Sequence, residues 1–310
     1  MKVFVTGVSG QLGHDVMFEL TRRGHTALGT ARRNPEELPA NTDEIDIVTP
    51  VSTFRKLDLT DEEAVKAEIT ALKPDAVIHC AAWTAVDAAE DPENRDAVYG
   101  ANVLATRYVA EASKTVGAKM LFLSTDYVFD GQGERPWQPD DKNYAPLNVY
   151  GQSKLDGELT VADTLEKYFI VRIAWAFGKN GKNFIKTMLN VGRTHDTVRV
   201  VKDQIGTPTY TLDLARLLVD MIETEKYGYY HATNEGGYVS WYDFTKEIYR
   251  QVGLKTHVIP VTTEEYGLSK AKRPFNSRLD KRKLREKGFQ PLPDWKDALS
   301  RYLIEIGEVK

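Results

Sequence analysis

Tyr150 and Lys154 stand four residues apart in the run Val149-Tyr150-Gly151-Gln152-Ser153-Lys154. On a helix that spacing stacks a phenol and an ammonium on one face. A phenol has an unperturbed pKa of about 10, so it exchanges protons slowly at neutral pH unless a nearby cation stabilises the phenolate. Lys154 is a candidate for that cation. A unit charge about 4 Å away, in an effective dielectric of about 20, is worth roughly 4 kcal/mol, enough to bring the phenol toward neutrality. Such a pair suits a proton donor for carbonyl reduction. The same spacing also recurs by chance on exposed helices, so the rest of the chain has to decide.

The elements around the pair alternate. An apolar strand over 3–6 leads into a helix marked by Leu12, Val16 and Leu20 on one face. A strand over 26–30 follows, then a polar, proline-bearing surface loop over 34–52, then a strand over 55–59. Thr60 and Glu63 have the spacing of a capping box for a helix reaching about Leu72, and 76–80 is the next buried strand. A helix over 96–116, a strand over 119–123, a helix over 148–165 and a strand over 168–173 continue the series. This is the pattern of an α/β fold with a Rossmann-type, doubly wound parallel sheet. Beyond Trp175 the rhythm changes to mixed short strands (198–201, 229–231, 257–260) and helices (184–191, 211–223, 241–252, 295–306). The expected division is a dinucleotide-binding domain over 1–174 and a smaller α/β substrate lobe over 175–310, some segments of which return to the first domain.

Composition narrows the classes of function. With 310 residues, 42% of them hydrophobic, the chain can bury a large core. Its apolar stretches are too short to cross a bilayer, and its first residues enter a strand directly, so a cytoplasmic protein is expected. The single cysteine, Cys80, allows no internal disulfide, and its apolar neighbours suggest a buried, inert thiol. A net charge of −4 gives no global attraction to nucleic acid or to anionic membranes.

The turn Gly7-Val8-Ser9-Gly10-Gln11-Leu12-Gly13 lies between the first strand and the first helix. Gly7, Gly10 and Gly13 there permit a tight turn, backbone approach to a pyrophosphate and close helix packing, while Gln11 and Leu12 open the helix whose N–H groups face the anion. After the second strand an acidic residue would bind a ribose 2′-hydroxyl and an arginine a 2′-phosphate. The chain offers Arg32 and Arg33, which favours NADPH, with NADH as the alternative and plain solvation of both arginines as the bland reading. Asp58, with Leu59, can place a carboxylate on the adenine amino group. Ala81 and Ala82 are small enough for the cofactor to lie against the backbone. Ser124-Thr125-Asp126 ends the fifth strand, where a hydroxyl can polarise a substrate carbonyl or simply cap a turn.

These segments together resemble the extended short-chain dehydrogenase/reductases, and most closely the dTDP-4-dehydrorhamnose reductase family. The resemblance covers nearly the whole chain. It is carried by the glycine turn, Ala81-Ala82-Trp83-Thr84-Ala85-Val86-Asp87, Ser124-Thr125-Asp126-Tyr127-Val128-Phe129-Asp130-Gly131 and Pro146-Leu147-Asn148-Val149-Tyr150-Gly151-Gln152-Ser153-Lys154. Arg172-Ile173-Ala174-Trp175, Asn183-Phe184, 203–209 and Arg273-Pro274-Phe275-Asn276-Ser277 agree with it, the last two without an assigned role. It implies Tyr150 as general acid, Lys154 as the residue that lowers its pKa and holds the nicotinamide ribose, and Thr125 as hydroxyl partner. It extends the cofactor floor to Trp83 and Thr84, and it lines a sugar pocket with Thr84, Val86, Thr125, Asp126 and Trp175, although a lone aromatic such as Trp175 is as often plain packing. Lys179, Lys182 and Asn183, opening a helix, are candidates for the substrate's nucleotide diphosphate, or equally a solvated loop. Some members dimerise around magnesium; the counterparts here include Asp15 and the apolar Leu212, so that metal is doubtful, no resident metal is expected, and monomer and homodimer both stay open.

Three functions compete. The first is NAD(P)H-dependent reduction of a nucleotide-sugar C4 ketone. The second is a dehydratase or epimerase of the same superfamily; elimination typically needs an Asp-Glu pair after the threonine, and here Thr125-Asp126 is followed by Tyr127. The third is a non-catalytic, dinucleotide-binding regulatory subunit, against which the retention of Thr125, Tyr150 and Lys154 weighs.

Overall fold

Val3 and Val5 point to one face of the first strand and Phe4 to the other, and all three are fully buried, because this strand is central in a sheet covered on both sides. The computed structural model describes residues 1–33 and 52–309. In chain order the first half comprises β1 (Lys2–Thr6), α1 (Gln11–Arg22), β2 (Thr26–Ala31), β3 (Ser52–Lys56), α2 (Glu62–Leu72), β4 (Ala76–His79), α3 (Arg95–Tyr99), α4 (Ala105–Val116), β5 (Lys119–Thr125), α5 (Val149–Thr164) and β6 (Tyr168–Ile173). There follow β7 (Ala176–Phe177), α6 (Phe184–Thr194), β8 (Thr197–Val201), β9 (Ile205–Gly206), β10 (Thr209–Tyr210), α7 (Thr211–Ile222), β11 (Gly228–His231), β12 (Val239–Ser240), α8 (Trp241–Val252), β13 (His257–Val261), α9 (Thr263–Tyr266), α10 (Arg282–Glu286) and α11 (Trp295–Glu305).

The main sheet has seven strands in the order β11-β6-β5-β4-β1-β2-β3, all parallel. The chain runs outward from β1 to β3, returns to β4 and runs outward the other way, which is the doubly wound arrangement expected. It leaves a crevice beyond the carboxyl ends of β1 and β4. One face carries α1 and α7, with Val16, Met17, Leu20, Leu214, Leu218 and Met221 packed on Val3, Val5 and Leu121. The other face carries Val65 and Ile69 of α2, Val109 and Ala112 of α4 and Val161 of α5, packed on Phe4, Val77, Met120 and Ile170. A second core, including Phe177, Ile185, Tyr210, Phe244, Trp295 and Tyr302, holds α6, α8 and α11 together.

The structure departs from the sequence expectations at four places. The strand expected over 229–231 in the smaller lobe is β11, which pairs with β6 and completes the main sheet; α7 packs on α1, so the chain leaving it re-enters at the open edge of β6. The third strand is shifted to Ser52–Lys56 by its parallel register with β2, Ala27 opposite Ser52 and Ala31 opposite Lys56. Helix α2 is capped by Asp61, which accepts from the N–H of Ala64 at 3.0 Å, whereas Thr60 donates to Asp58. The helix expected over 96–116 is interrupted by a π-helical turn at Gly100–Leu104. The polar loop expected over 34–52 falls, apart from Ser52, outside the described residues. No described helix is long and apolar enough to cross a membrane.

Candidate active site

The glycine turn fits the crevice because side chains are absent from it. At Gly7, where φ is +72°, a Cβ would lie 2.7 Å from the backbone nitrogen of Ala81, and at Gly13 one would lie 2.3 Å from the Gly7 carbonyl oxygen. The turn is held by bonds from the N–H groups of Gly7 and Val8 to the Thr30 carbonyl, at 2.9 and 3.2 Å. The Thr6 hydroxyl, bonded to His79 at 2.8 Å, accepts from the Ala81 N–H at 3.1 Å and so fixes the end of β4 against the turn. Gly10 caps α1 without a side-chain bond, leaving the first N–H groups of that helix facing the crevice. A diphosphate fits such a cradle.

Arg32 and Arg33 are exposed just past β2. Asp58 lies beyond the end of β3, and Leu59 is buried beside it. Hydrogen bonds from the backbone and hydroxyl of Thr60, helped by the charge of Arg32, hold the Asp58 carboxyl below its ordinary range. After β4, Trp83 is tied at its N–H and carbonyl to the side chain of Asn102, whose amide also donates to Ser153 at 2.9 Å. Asn102 belongs to the π-helical turn, so that irregularity joins the loop after β4 to helix α5. Ala81 and Ala82 are half-buried, Thr84 is exposed and Val86 half-buried.

Asn148 caps α5, its side chain accepting from the Gly151 N–H at 2.8 Å, and places Tyr150 in the first turn with Lys154 one turn on. Gly151 permits this approach: a Cβ there would lie 2.4 Å from the Tyr127 carbonyl oxygen. The ammonium of Lys154 is buried, donates to the Leu123 carbonyl at 2.6 Å and sits 4.1 Å from the centroid of the Phe122 ring. Burial pushes its pKa down to about 8, with the negative charge of Glu158 opposing. Tyr150 is half-buried, with its hydroxyl within hydrogen-bond reach of Thr125.

This geometry overturns the expectation of an acidified phenol. The pKa of Tyr150 is raised, chiefly by burial, with Asp126 and Tyr127 adding to the rise and only Thr125 opposing it. The ammonium that was to lower it is directed to the Leu123 carbonyl. Tyr150 therefore rests as a neutral phenol, loaded with its proton. A developing alkoxide is roughly as basic as hydroxide, whose conjugate acid has a pKa of about 15.7, so even a weakened phenol can protonate it.

Thr125, the last residue of β5, accepts from the Tyr127 N–H at 3.3 Å and donates to Asp126 at 3.1 Å. Asp126 is 2% exposed; its pKa is pushed up to about 6 by burial, with Ser277 and Thr125 opposing. Its second carboxylate oxygen has no hydrogen-bond partner among the described residues. A buried acceptor without a donor is costly in isolation and is relieved by a ligand hydroxyl.

Trp175 has φ +52°, a left-handed backbone that a bulky residue adopts only under constraint. The constraint is visible: the Thr209 N–H donates to the Trp175 carbonyl at 3.1 Å, Gly206 packs beneath its ring, and its indole stacks on Trp241 with centroids 3.7 Å apart. Asn183 caps α6 through Lys186, and its amide donates to Gln11, Gly178 and Tyr302. Gln11 in turn reaches the Lys182 carbonyl at 3.4 Å, so the loop of Lys179 and Lys182 lies over the glycine turn. Asp203 has a structural part: its carboxylate accepts from the Thr263 N–H and hydroxyl and fastens α9. Asp15 is buried beside His14, Leu212 is half-buried, and among the described residues no three His, Cys, Asp or Glu side chains group to hold a metal. Burial pushes the Cys80 thiol up to about 12.

Asn102, Tyr127, Asp87 and Trp241 were not picked out as site residues from the sequence. Asp87 and Tyr127 lie inside motif segments, which is the one signal that could have found them; Asn102 and Trp241 carry none.

A family model described as the RmlD substrate binding domain matches residues 1–307. The chain is 38% identical over 305 residues to dTDP-4-dehydrorhamnose reductase of Streptomyces griseus, covering 96% of this chain and 91% of that protein. It is 36% identical over 304 residues to the spore coat polysaccharide biosynthesis protein SpsK of Bacillus subtilis, covering 98% and 97%. The crystal structure of dTDP-4-dehydrorhamnose reductase from Bacillus anthracis in complex with NADP superposes with a TM-score of 0.85 at 38% identity, covering 98% of this chain and 99% of that one.

Proposed function

The chain belongs to the RmlD substrate binding domain family, and on that premise we propose that it reduces the C4 ketone of dTDP-4-dehydro-L-rhamnose to dTDP-L-rhamnose with NADPH, NADH being the alternative. The observation that carries this reading is a neutral Tyr150 in reach of the Thr125 hydroxyl, with the Lys154 ammonium one turn away at the same sheet edge.

The cradle of Gly7, Gly10 and Gly13 with the N-terminus of α1, entered by Gln11 and Leu12, would take the pyrophosphate of the dinucleotide. Arg32 and Arg33 would take a 2′-phosphate, Asp58 and Leu59 the adenine, and Ala81, Ala82, Trp83 and Thr84 the stretch leading to the nicotinamide. When bound, the coenzyme supplies a hydride. Lys154 has three N–H donors, of which Leu123 takes one; the others are available to a ribose hydroxyl and to Tyr150.

Tyr150 donates its proton to the substrate oxygen as negative charge develops there, and the Thr125 hydroxyl, turned from Asp126, stabilises that oxygen by a hydrogen bond. The phenolate left behind is stabilised once a free N–H of Lys154, which at pH 7 is mostly charged with its pKa of about 8, turns toward it. The unpartnered oxygen of Asp126 accepts a sugar hydroxyl, and Thr84, Val86 and Trp175 wall the sugar. The loop of Lys179 and Lys182, held by Asn183 as its cap, faces the nucleotide diphosphate.

Incubation with dTDP-4-dehydro-L-rhamnose and NADPH, followed by absorbance of the reduced coenzyme, should show consumption and one equivalent of dTDP-L-rhamnose. Tyr150→Phe should lower kcat by about 10²- to 10⁴-fold, the usual worth of a positioned acid. No consumption by the wild-type protein would refute the function, and full turnover by Tyr150→Phe would refute the role of the phenol.

A further inference from the structure

The segment 271–277 comes from far along the chain, yet it is fastened to each loop that builds the reacting end of the site. The Ala271 N–H donates to the Asp87 carboxylate at 3.0 Å in the loop after β4, and the Lys272 carbonyl accepts from Asn148, the cap of α5, at 2.8 Å. Pro274 fills the space above Gly131, where φ is +65° and a Cβ would lie 2.4 Å from the proline ring. The Asn276 N–H donates to the Gly131 carbonyl at 2.8 Å, and Ser277 lies against Asp126.

Arg273 is the centre of this strap. Its guanidinium donates to the Asp87 carboxylate at 2.5 Å with one arm and to the Tyr127 hydroxyl at 3.1 Å with the other. Its side chain is only 19% exposed. Tyr127 lies in T-shaped contact with Tyr150, ring centroids 5.5 Å apart and planes at 77°. Burial raises the Tyr127 pKa to about 12, so it is neutral and its oxygen is free to accept from the guanidinium. Without that donor the phenol oxygen would lack its partner and the ring would turn to find another, losing the geometry of its contact with Tyr150. An isolated surface ion pair contributes little, but a fork that satisfies a carboxylate and a phenol together fixes both in direction.

We propose that Arg273 is a positioning residue for proton transfer: bridging Asp87 and Tyr127, it locks the Tyr127 ring against Tyr150 and so sets the direction in which Tyr150 delivers its proton. Both of the bonds the guanidinium makes in this arrangement run to groups of the protein, the Asp87 carboxylate and the Tyr127 hydroxyl. The proposal rests on Tyr150 being the acid of the reductase.

Arg273→Met, Tyr127→Phe and the double variant test it through kcat, KM for both substrates and the solvent deuterium isotope effect. Each single change should lower kcat about tenfold with the KM for NADPH unchanged, and the double variant should be no slower than the slower single, since the two side chains act as one unit. The isotope effect on kcat should rise in all three as proton delivery becomes slower. Losses that multiply in the double variant, unchanged kcat in the single variants, or a rise confined to the KM of the sugar nucleotide would each overturn the proposal. Should Arg273→Met fail to fold, Arg273→Lys keeps a charge for Asp87 but not the fork: a reduced kcat with a raised isotope effect supports the proposal and wild-type values refute it. Absence of turnover in the wild-type protein would instead strike the reductase reading itself.

Discussion

Replacing Lys154 with methionine separates the cost of a buried charge from its use. The lysine pKa falls from 10.5 to about 8 on folding, principally by burial. At about 1.4 kcal/mol per pH unit, holding the ammonium charged at pH 7 costs the folded state about 3 kcal/mol. A base whose folded pKa lies below its unfolded value penalises folding fully below the folded pKa, and the penalty fades as pH rises from about 8 to 10.5, because the unfolded chain binds more protons across that window. By pH 9.5 about 2 kcal/mol of the penalty should have gone. Lys154→Met also loses the bond to Leu123 and the contact with Phe122, but those losses do not depend on pH in the variant. The measurement is therefore urea unfolding of both proteins without coenzyme at pH 7 and 9.5. The stability of the variant minus that of the wild type should be about 2 kcal/mol more favourable at pH 7 than at pH 9.5, while its reductase activity drops by about 10²-fold or more. A difference that stays constant with pH would refute the reasoning, since Lys154 would then carry no desolvated charge.

Asp126, with its pKa of about 6, should be needed as a carboxylate: kcat/KM should fall as pH drops through about 6, and Asp126→Asn should remove that acid limb from the pH profile while raising the KM of the sugar nucleotide. Glu158→Gln strips the partner from Arg172, which is completely buried and bonded to Glu158 at 2.7 and 2.8 Å; denaturation should show a loss of about 3–5 kcal/mol, the usual cost of stranding a buried charge. Gly13→Ala should weaken coenzyme binding at least about tenfold by fluorescence titration, since its Cβ would lie 2.3 Å from the Gly7 carbonyl oxygen and push α1 away from the turn.

Helix α5 shows how a local pattern and its surroundings divide the work. Tyr150 and Lys154 were legible as a pair because spacing on a helix is a property of the chain alone. Their protonation was not, because it depends on what surrounds them: the Leu123 carbonyl takes the ammonium, and burial with Asp126 and Tyr127 nearby raises the phenol. The Asn102 link from the π-helical turn to Trp83 and Ser153 leaves no periodic trace, since one extra residue in a helix turn breaks no pattern that can be read in advance.

By itself the sequence determined the doubly wound order of strands and helices, the glycine turn after β1, the hydroxyl at the end of β5 and the helical pair Tyr150 and Lys154. Each is a local signal, a hydrophobic period, a glycine position or a helical spacing, and local signals need no partner from elsewhere in the chain. Only the tertiary structure decided that 228–231 closes the sheet beside β6, that Trp175 is held in a left-handed conformation against Trp241, and that Arg273 reaches Tyr127 from 146 residues away. Those outcomes rest on long-range packing and desolvation, which are set by neighbours that the chain brings together only on folding.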